Sequence, residues 1–311
     1  MRRVELIPIS RRADGSQINI TKIVYGGDKP SILIAAVVHG DELTSLYTIW
    51  RLLDFLDHTK IKGTVTIIPV INVDGVLMGD RFEPYNQIDI NRVYPGDKRG
   101  ILAERVAWEI YSIALHHDIV IDLHCAGRSI PFILIDPIDD SKLRETVLKY
   151  AESVGLTIVF EYAKNIYELK GLSKSLPAVV LKRGIPSFTM ELPGGKQIDR
   201  IGGEAGFRGL VNLLIELGVC KGRKMLHEGY PVISDYSLYR HDITCTNGGI
   251  LDLNFELGDW IEKGVEIAVI RGFTGKIIER IYCDKQGYLI SLPSSDMIPP
   301  HGRVSTIAVK E

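Results

Sequence analysis

Continuous apolar runs alternate with amphipathic stretches through the first two-thirds of the chain. Residues 31–38 (SILIAAVV) are apolar after the first position, which is typical of a strand buried on both faces of a parallel sheet. Residues 43–56 follow with apolar side chains at helical spacing. Strands that alternate with helices in this way predict a three-layer α/β/α sandwich around a mixed, largely parallel sheet.

The same two patterns recur along the sequence and define the expected elements. After about residue 222 the helical stripes end, and short β-type runs separated by glycines take their place. We therefore expect two domains, an α/β domain over residues 1–222 and a small all-β domain over residues 223–311. In the first domain we predict strands over residues 31–38, 64–71, 119–123 and 185–192 and helices over residues 43–56, 101–117, 141–154 and 198–218.

The C-terminal part contains a weak internal repeat. The segment DWI at residues 259–261, with a glycine five positions after its aspartate, is echoed by DMI at residues 296–298, with a glycine six positions after its aspartate. Two similar halves predict a sandwich or a flattened barrel with pseudo-twofold symmetry.

The composition of the chain argues against several classes of function. With 37 Lys+Arg against 39 Asp+Glu, the formal net charge of −2 gives no global attraction to nucleic acid or to an anionic membrane. No apolar run approaches the roughly 20 residues of a transmembrane helix, and residues 1–10 lack the apolar core of a signal peptide. The four cysteines form no CxxC pair and are too sparse for a disulfide framework. We expect a cytoplasmic protein that binds neither nucleic acid nor membrane; homo-oligomerisation stays open.

The strongest local signal is HGDE at residues 39–42, where a buried strand ends and a helix begins. Ligands of open α/β sheets bind at the carboxyl ends of the strands. His124 ends the strand IVIDLH, 82 positions after Glu42, and can converge there with His39 and Glu42. Two histidines and one glutamate with an open fourth position form the catalytic zinc set of several hydrolases. Because HxxE spacing is common by chance, the alternative is that each histidine is a core or capping residue.

Two further segments place polar side chains where a ligand could reach them. Arg81 and residues 89–96 (DINRVYPG) provide two arginines, whose planar guanidinium groups match a carboxylate or an oxyanion. The composition of this segment alone favours the alternative, a solvated surface loop. Glu191 ends the predicted strand IPSFTMEL, just before a proline and two glycines. A general base suits this position because glycines let a ligand approach the backbone. Taken alone, Glu191 is better explained as a turn carboxylate.

Taken in order, the motifs HGDE, Arg81 with DINRVYPG, DLH and MELPGG resemble the succinylglutamate desuccinylase/aspartoacylase family. Members of this family are zinc amide hydrolases related in fold to the zinc carboxypeptidases. The resemblance covers roughly residues 30–310. The arrangement is similar to that of single-chain bacterial and archaeal members that end in a biotinyl-like β domain. It therefore implies a C-terminal barrel-sandwich domain that resembles biotinyl and lipoyl domains.

The resemblance implies a role for each residue at a matching position. It implies that His39, Glu42 and His124 bind one Zn²⁺ per chain and that Asp89 supports a zinc-binding histidine. Glu191 would be the catalytic base, and Arg81 would polarise the scissile carbonyl. Asn91 and Arg92 would bind the free carboxylate of the substrate. The sequence departs from the family's pattern at residues 125–128 and 192–193, which follow DLH and Glu191. Both departures concern the identity of the substrate, and the roles of Cys125 and Arg128 stay open.

These residues predict a reaction. We expect metal-assisted hydrolysis of the amide bond of an N-acyl amino acid, which is a small-molecule substrate. The alternatives are a zinc carboxypeptidase that acts on a small peptide and a non-catalytic metal-binding protein. The intact Glu191 argues against the non-catalytic alternative, since a silent site has no need of a base.

Lys276 raises the question of a carrier function for the C-terminal domain. It precedes Gly287 by 11 residues, which is close to the spacing of the modified lysine in biotinyl and lipoyl carriers. Its neighbours in the sequence TGKI lack the methionine and the acidic residues of a modification site. We therefore expect no biotin or lipoyl group on Lys276, and a domain that covers the active site or mediates assembly.

Overall fold

The computed structural model describes residues 2–235 and 237–310. The strands in these ranges are β1 (Arg3–Arg11), β2 (Gln17–Gly26), β3 (Ser31–Ala36), β4 (Thr64–Ile68), β5 (Ile119–Cys125), β6 (Arg128–Ser129), β7 (Phe132–Ile135), β8 (Thr157–Phe160), β9 (Ser187–Leu192), β10 (Leu238–Thr244), β11 (Gly249–Leu253), β12 (Trp260–Ile261), β13 (Glu266–Arg271), β14 (Ile277–Tyr282), β15 (Gly287–Leu292), β16 (Met297–Ile298) and β17 (Arg303–Lys310). The α-helices are α1 (Leu43–Asp57), α2 (Val73–Met78), α3 (Leu102–Ala114), α4 (Ser141–Val154), α5 (Lys164–Leu169), α6 (Leu176–Leu181) and α7 (Arg200–Glu216). Single 3₁₀ turns occupy Ile90–Arg92 and Leu172–Lys174.

Helices cover both faces of the central sheet. β3 runs parallel to β4 and β5, β5 runs parallel to β9, and β7 lies antiparallel to β9. Alternate residues of β3 enter different cores: Ile32 and Ile34 pack with residues of α1, α4 and α7, whereas Leu33 and Ala35 pack with residues of α3 and α6. This alternation confirms the predicted three-layer sandwich with a mixed sheet.

Several strands differ from the prediction, mainly at their ends. The apolar run 31–38 is a strand only as far as Ala36, because Val37 has a φ of 54° and turns the chain out of the sheet. The run 64–71 likewise ends as a strand at Ile68. The hairpin of β1 and β2 was not predicted at all. β1 is an edge strand with mostly exposed residues, so it carries no buried apolar pattern.

The C-terminal part repeats one four-strand unit. The strands β10, β11, β12 and β13 of the first unit are equivalent to β14, β15, β16 and β17 of the second. Each pairing in one half has its counterpart in the other: β10–β17 corresponds to β14–β13, β11–β13 to β15–β17, and β12–β15 to β16–β11. The repeated motifs DWI and DMI form the equivalent short strands β12 and β16. The exchanged strands build two antiparallel layers around one apolar core. The predicted all-β sandwich with internal symmetry is confirmed, and its closure into a barrel stays a prediction.

One of these two layers continues the central sheet. β10 runs parallel to β8, with Tyr239 opposite Phe160, so a 13-stranded sheet extends from β1 to β12. An apolar cluster that includes Phe132, Leu134 and Leu238 spans this junction. Because the sheet crosses from one part to the other, the division into domains at residues 1–222 and 223–311 stays a prediction. None of the helices formed by the described residues is long and apolar enough to span a membrane.

Candidate active site

The turn after β3 places His39 and Glu42 at the carboxyl end of this strand. The positive φ of Val37 redirects the chain, and α1 begins directly after Glu42. Gly40 allows the turn to pack closely, since a Cβ at this position would lie 2.1 Å from the carbonyl carbon of Gly75. The side chains of His39 and Glu42 are buried as a result.

Glu42 joins the two histidines that the sequence singled out. Its Oε1 lies 2.7 Å from Nδ1 of His39, and its Oε2 lies 3.1 Å from Nδ1 of His124. His124 reaches this point from the end of β5, the neighbouring parallel strand. One ligand atom from each of the three residues lies within 4.8 Å of the others, so these side chains form a buried cluster that could hold a metal ion.

Two carboxylates hold the outer nitrogens of the histidines. Nε2 of His39 lies 3.1 Å from Oδ1 of Asp89, and Nε2 of His124 lies 2.9 Å from Oδ2 of Asp122. Asp89 stands where the resemblance placed it, but Asp122 was not predicted. Its signal in the sequence was the spacing D-x-H within one strand, because residues two apart in a strand face the same side.

The donor set fits a divalent transition-metal ion. When each Nε2–H is donated to a carboxylate, the Nδ1 lone pairs of His39 and His124 point towards Glu42. Without a metal, the protonated forms of His39 and His124 lower the pKa of Glu42 well below its usual value, although burial acts in the opposite direction. Glu42 therefore stays ionised, and it offers a carboxylate oxygen beside two imidazole nitrogens.

Glu191 lies beside the cluster on the next strand. β9 runs parallel to β5 with Glu191 opposite His124, and Thr189 precedes it on the same face of the sheet. The side chains of Thr189 and Glu191 line the cleft. No hydrogen-bond donor among the described residues contacts the carboxylate of Glu191. Burial raises the pKa of Glu191, with Glu42 acting in the same direction and His124 against it. A carboxylate in such a position is suited to accept a proton.

Arg81 contacts both the cluster and the carboxylate that supports it. Its Nη1 lies 3.3 Å from Oε1 of Glu42, and its Nη2 lies 3.4 Å from Oδ2 of Asp89. The side chain is 41% exposed, so the guanidinium is accessible from the cleft. The structure thus brings Arg81 to the cluster despite a sequence separation of 39 positions from Glu42.

Asn91 and Arg92 occupy a 3₁₀ turn that lines the cleft. Oδ1 of Asn91 accepts a hydrogen bond from the backbone nitrogen of Leu176 at 3.3 Å, which fixes the buried amide. Nη1 of Arg92 donates to the backbone oxygen of Asn91 at 2.9 Å. The predicted solvated loop is therefore partly buried, and both side chains line the cleft.

The cleft has a volume of about 1060 Å³ and extends well beyond the predicted residues. Its far side is lined by residues of the C-terminal part, which carry no motif and were missed by sequence reasoning: Arg240, Leu257, Ser291, Ser294, Arg303 and Thr306. They reach the cleft because the layer formed by β10, β17 and β15 continues the same face of the sheet that presents Glu191. Residues of the C-terminal part thus form one side of the cleft, while the alternative expectation, a role in assembly, stays a prediction.

An ion-pair network fixes the C-terminal layer to the α/β part. Arg240 lies 3.2 Å from Glu161 and 3.5 Å from Asp242. Tyr162 donates a hydrogen bond to Asp242, and the guanidinium of Arg240 lies 4.8 Å from the ring centre of Tyr162. Although burial opposes it, the charge of Glu161 raises the pKa of Arg240. These contacts hold β10 beside the end of β8.

The two residues whose roles were open differ in their surroundings. Cys125 lines the cleft with its Sγ 3.4 Å from Oγ of Ser45, and burial raises the pKa of its thiol, which makes it a poor nucleophile. Arg128 pairs with Asp296 of the C-terminal part at 2.6 Å. Arg128 thus contributes to the junction between the two parts of the chain.

The fold and the cluster together define a class of protein. The fold is a carboxypeptidase-like α/β sandwich, and the carboxyl ends of its central strands carry a His–Glu–His cluster that could hold a metal ion. The chain belongs to the succinylglutamate desuccinylase/aspartoacylase family: the model described as "Succinylglutamate desuccinylase/Aspartoacylase catalytic domain" matches residues 28–205.

Relatives of known name or structure cover most of the chain. The N-alpha-acetyl-L-2,4-diaminobutyric acid deacetylase of Halomonas elongata is 27% identical over 277 residues, which are 86% of this chain and 79% of the relative. The crystal structure of a succinylglutamate desuccinylase/aspartoacylase from Rhodobacter sphaeroides has a TM-score of 0.85 at 22% identity and covers 100% of this chain and 96% of that one. A metallo-carboxypeptidase from Burkholderia cenocepacia shares the fold more distantly, with a TM-score of 0.53 at 16% identity over 68% of this chain and 64% of that one.

Proposed function

We propose that the protein is a zinc-dependent hydrolase that cleaves the amide bond of N-acyl amino acids. The observation that carries the proposal is the position of Glu191 in register with His124, beside the buried cluster of His39, Glu42 and His124. The family and the deacetylase of Halomonas elongata support the class of reaction.

His39, Glu42 and His124 would bind the zinc ion. Two imidazoles and one carboxylate are a common protein ligand set of catalytic zinc. Asp89 and Asp122 would keep both histidines in the tautomer that presents Nδ1, as their contacts with the Nε2 atoms indicate. When bound, zinc supplies Lewis acidity, which lowers the pKa of a coordinated water to about 7 and polarises the scissile carbonyl.

Glu191 moves the proton in this proposal. Its carboxylate accepts a proton from the attacking water and later donates it to the nitrogen of the leaving amino acid. Burial is the main cause of the raised pKa of Glu191, which therefore lies closer to neutral pH than the pKa of an exposed glutamate. This suits a group that must both accept and donate a proton. The carboxylate is free for this role because the described residues give it no hydrogen-bond donor.

Three further side chains position the substrate. Arg81 donates to the oxygen of the scissile carbonyl as negative charge develops there, an interaction typically worth about 3 kcal/mol. Asn91 and Arg92 bind the carboxylate of the amino acid on the wall formed by the 3₁₀ turn. An arginine fork forms two parallel hydrogen bonds to a carboxylate, which selects amino acids over amides or esters.

The two alternatives receive less support. A carboxypeptidase would use the same cluster, but the solved metallo-carboxypeptidase resembles only the fold, whereas the family and the curated relative are named as deacylases. A non-catalytic metal-binding protein would not need a carboxylate in the position of Glu191. The substrate panel below separates all three possibilities.

Metal analysis combined with a substrate panel tests the proposal. The purified protein is stripped with a chelator, reloaded with Zn²⁺, and assayed for amine release from N-acetyl, N-butyryl and N-succinyl amino acids and from blocked dipeptides. We expect about one zinc per chain, zinc-dependent release from N-acyl amino acids and little activity on the dipeptides. His124→Ala should lose the metal, whereas His241→Ala, which removes a histidine paired with Asp284, should retain it. Equal metal occupancy in His124→Ala would contradict the assignment.

A further inference from the structure

Tyr94 follows the 3₁₀ turn that carries Asn91 and Arg92, and its side chain is completely buried. It is 1% exposed and belongs to the same apolar cluster as Ile90 and Leu176. Its hydroxyl has no hydrogen-bond partner among the described residues. A buried hydroxyl without a partner is unfavourable, because it loses its hydrogen bonds with water on folding.

Asp122 contains a second buried polar atom of this kind. Its Oδ2 lies 2.9 Å from Nε2 of His124, whereas Oδ1 has no hydrogen-bond partner within residues 2–235 and 237–310. The residue is 1% exposed. Because an ionised carboxylate can accept hydrogen bonds on both oxygens, Oδ1 can accept one from a neighbouring donor.

Tyr94 and Asp122 face the same layer of the fold. Residues two apart in a strand point to one side, so Asp122 shares a face of β5 with Val120. Val120 belongs to the apolar cluster that contains Tyr94. Burial, followed by the negative charge of Asp122, raises the pKa of Tyr94 well above its usual value. The hydroxyl therefore stays protonated and has a proton to donate.

Asp89 is the other carboxylate whose charge acts on this hydroxyl, but its oxygens already have partners. Its Oδ1 lies 3.1 Å from Nε2 of His39 and accepts from the backbone nitrogen of Asn91 at 2.9 Å. Its Oδ2 lies 3.4 Å from Nη2 of Arg81. Of the two carboxylates, Asp122 is therefore the one with an oxygen left to accept from Tyr94.

We propose that the hydroxyl of Tyr94 donates a hydrogen bond to Oδ1 of Asp122, directly or through one buried water, and thereby positions His124 for metal binding. This inference rests on the proposed zinc-dependent function. Tyr94 fixes the carboxylate, and the carboxylate fixes the ring and the tautomer of His124. Because Asp89 supports His39, the short segment 89–94 would hold both imidazoles.

Tyr94→Phe tests the role of the hydroxyl, because it keeps the ring in the apolar layer. Loss of an outer carboxylate typically lowers metal affinity 10–100-fold, and a group that acts through the carboxylate should contribute less. We therefore expect the zinc affinity of Tyr94→Phe, measured by competition with a chelator, to fall about three- to tenfold. Tyr25→Phe should keep the wild-type affinity: it removes a hydroxyl that donates to Asp57 at 2.6 Å, at the opposite end of α1 from Glu42.

These affinities separate the inference from the function on which it rests. If Tyr94→Phe binds zinc as tightly as the wild type does, the inference about Tyr94 is wrong while the hydrolase function stands. If the wild type itself binds no zinc, the proposed function is wrong.

A double variant distinguishes the hydrogen bond from a packing effect of the ring. In Asp122→Asn one oxygen remains, and it cannot accept from both Tyr94 and His124 as the carboxylate does. Removal of the hydroxyl as well should then change little, so the zinc affinity of the double variant should lie within about twofold of that of Asp122→Asn. If the two single losses multiply instead, Tyr94 acts independently of Asp122, and the inference is wrong.

The hydrogen bond is also testable in the unaltered protein, so the outcome does not depend on the folding of a variant. A crystal structure of the zinc-loaded wild type should place Oη of Tyr94 at hydrogen-bond distance from Oδ1 of Asp122, or from one water that also contacts this oxygen. A hydroxyl that donates to any other group would contradict the inference.

Discussion

His124 and Glu191 stand opposite each other on the parallel strands β5 and β9. This pairing places a metal-ligand candidate and a carboxylate side by side at the carboxyl edge of one sheet, although they are 67 positions apart in the sequence. Glu42 contacts His124 from the next strand along, so three neighbouring strand ends supply the cluster and the base. The proposed reaction depends on the side chains that these strand ends bring together.

The role of Glu191 predicts a large loss of turnover with little loss of metal. Glu191→Gln preserves the shape of the side chain but cannot accept a proton. We expect kcat to fall by roughly 10²–10⁴-fold, the usual contribution of a general base, while zinc content stays near that of the wild type. Glu145→Gln, which changes an exposed glutamate of α4, serves as the control. Activity within a few-fold of the wild type would remove Glu191 from the mechanism.

The contact between Asp122 and His124 predicts weaker metal binding when the carboxylate is lost. Asp122 is buried and accepts from Nε2 of His124 at 2.9 Å, so Asp122→Asn would weaken the hold on the tautomer and on the ring. Loss of such an outer carboxylate typically lowers metal affinity 10–100-fold. Competition with a chelator measures the change, and Asp252→Asn on the exposed face of β11 is the control. Equal affinities of Asp122→Asn and the wild type would show that Asp122 is not a supporting group.

The sequence predicted the cluster because its signals are local. HGDE and DLH each lie where an apolar strand ends, and parallel strands bring such ends to one edge of the sheet. The roles carried by resemblance, including those of Arg81 and Asn91, needed the order of several motifs together. Asp122 could have been found from its spacing to His124 alone, since the two share one face of a strand.

The far wall of the cleft could not be predicted in the same way. Its residues reach the site only because β10 pairs with β8, and contacts such as Tyr162 with Asp242 join positions 80 apart in the sequence. Sheet pairings between short strands of this kind leave no periodic pattern in the sequence. For the same reason the exposed edge strand β1 was missed, although the repeat that builds the C-terminal layers was visible in the glycine and DWI/DMI spacing.

Arg92 should act through binding of the substrate carboxylate. An arginine fork makes two charge-assisted hydrogen bonds, whereas lysine offers a point charge. Loss of an interaction that is equal in the ground and transition states raises KM and leaves kcat nearly unchanged. We expect Arg92→Lys to raise KM for an N-acyl amino acid at least about tenfold, or roughly 1.4 kcal/mol, and much less for the matching amide.

The control for this prediction is Arg99→Lys. Arg99 is exposed in the same segment between the 3₁₀ turn and α3, so it reports on nonspecific effects of the exchange. Both substrates are measured on both variants. If Arg92→Lys impairs the amide as strongly as the acid, Arg92 does not bind the carboxylate, and the assignment to N-acyl amino acids loses a main support.

Lys276 should carry no cofactor. It lies in the turn that joins β13 to β14, where its backbone oxygen accepts from the nitrogen of Gly272 at 2.9 Å. The flanking sequence lacks the methionine and the acidic residues of a modified lysine. The intact mass of protein from cells with active biotin and lipoate ligases should equal that of the polypeptide. A mass increment that disappears in Lys276→Arg would instead establish a carrier function.

The buried Asp136 predicts a pH dependence of stability. Burial, partly offset by the hydrogen bond from Tyr167, raises the pKa of Asp136 to about 7. In the unfolded state the pKa of Asp136 is near 3.8, so the unfolded chain loses this proton at a lower pH than the folded protein does. The stabilising contribution of this group is complete below the unfolded pKa and is lost as the pH rises towards 7, by up to about 1.4 kcal/mol per pH unit.

Asp136→Asn removes this titration and keeps an oxygen that can accept from Tyr167. We expect its free energy of unfolding minus that of the wild type to increase between pH 5 and pH 7, because only the wild type loses stability there, and to change little above pH 8. Urea unfolding at each pH measures this difference, in which the titrations common to both proteins cancel. Asp139→Asn, at an exposed position, should show no such trend. A constant difference between Asp136→Asn and the wild type across this range would mean that Asp136 is ionised in the folded protein at pH 5.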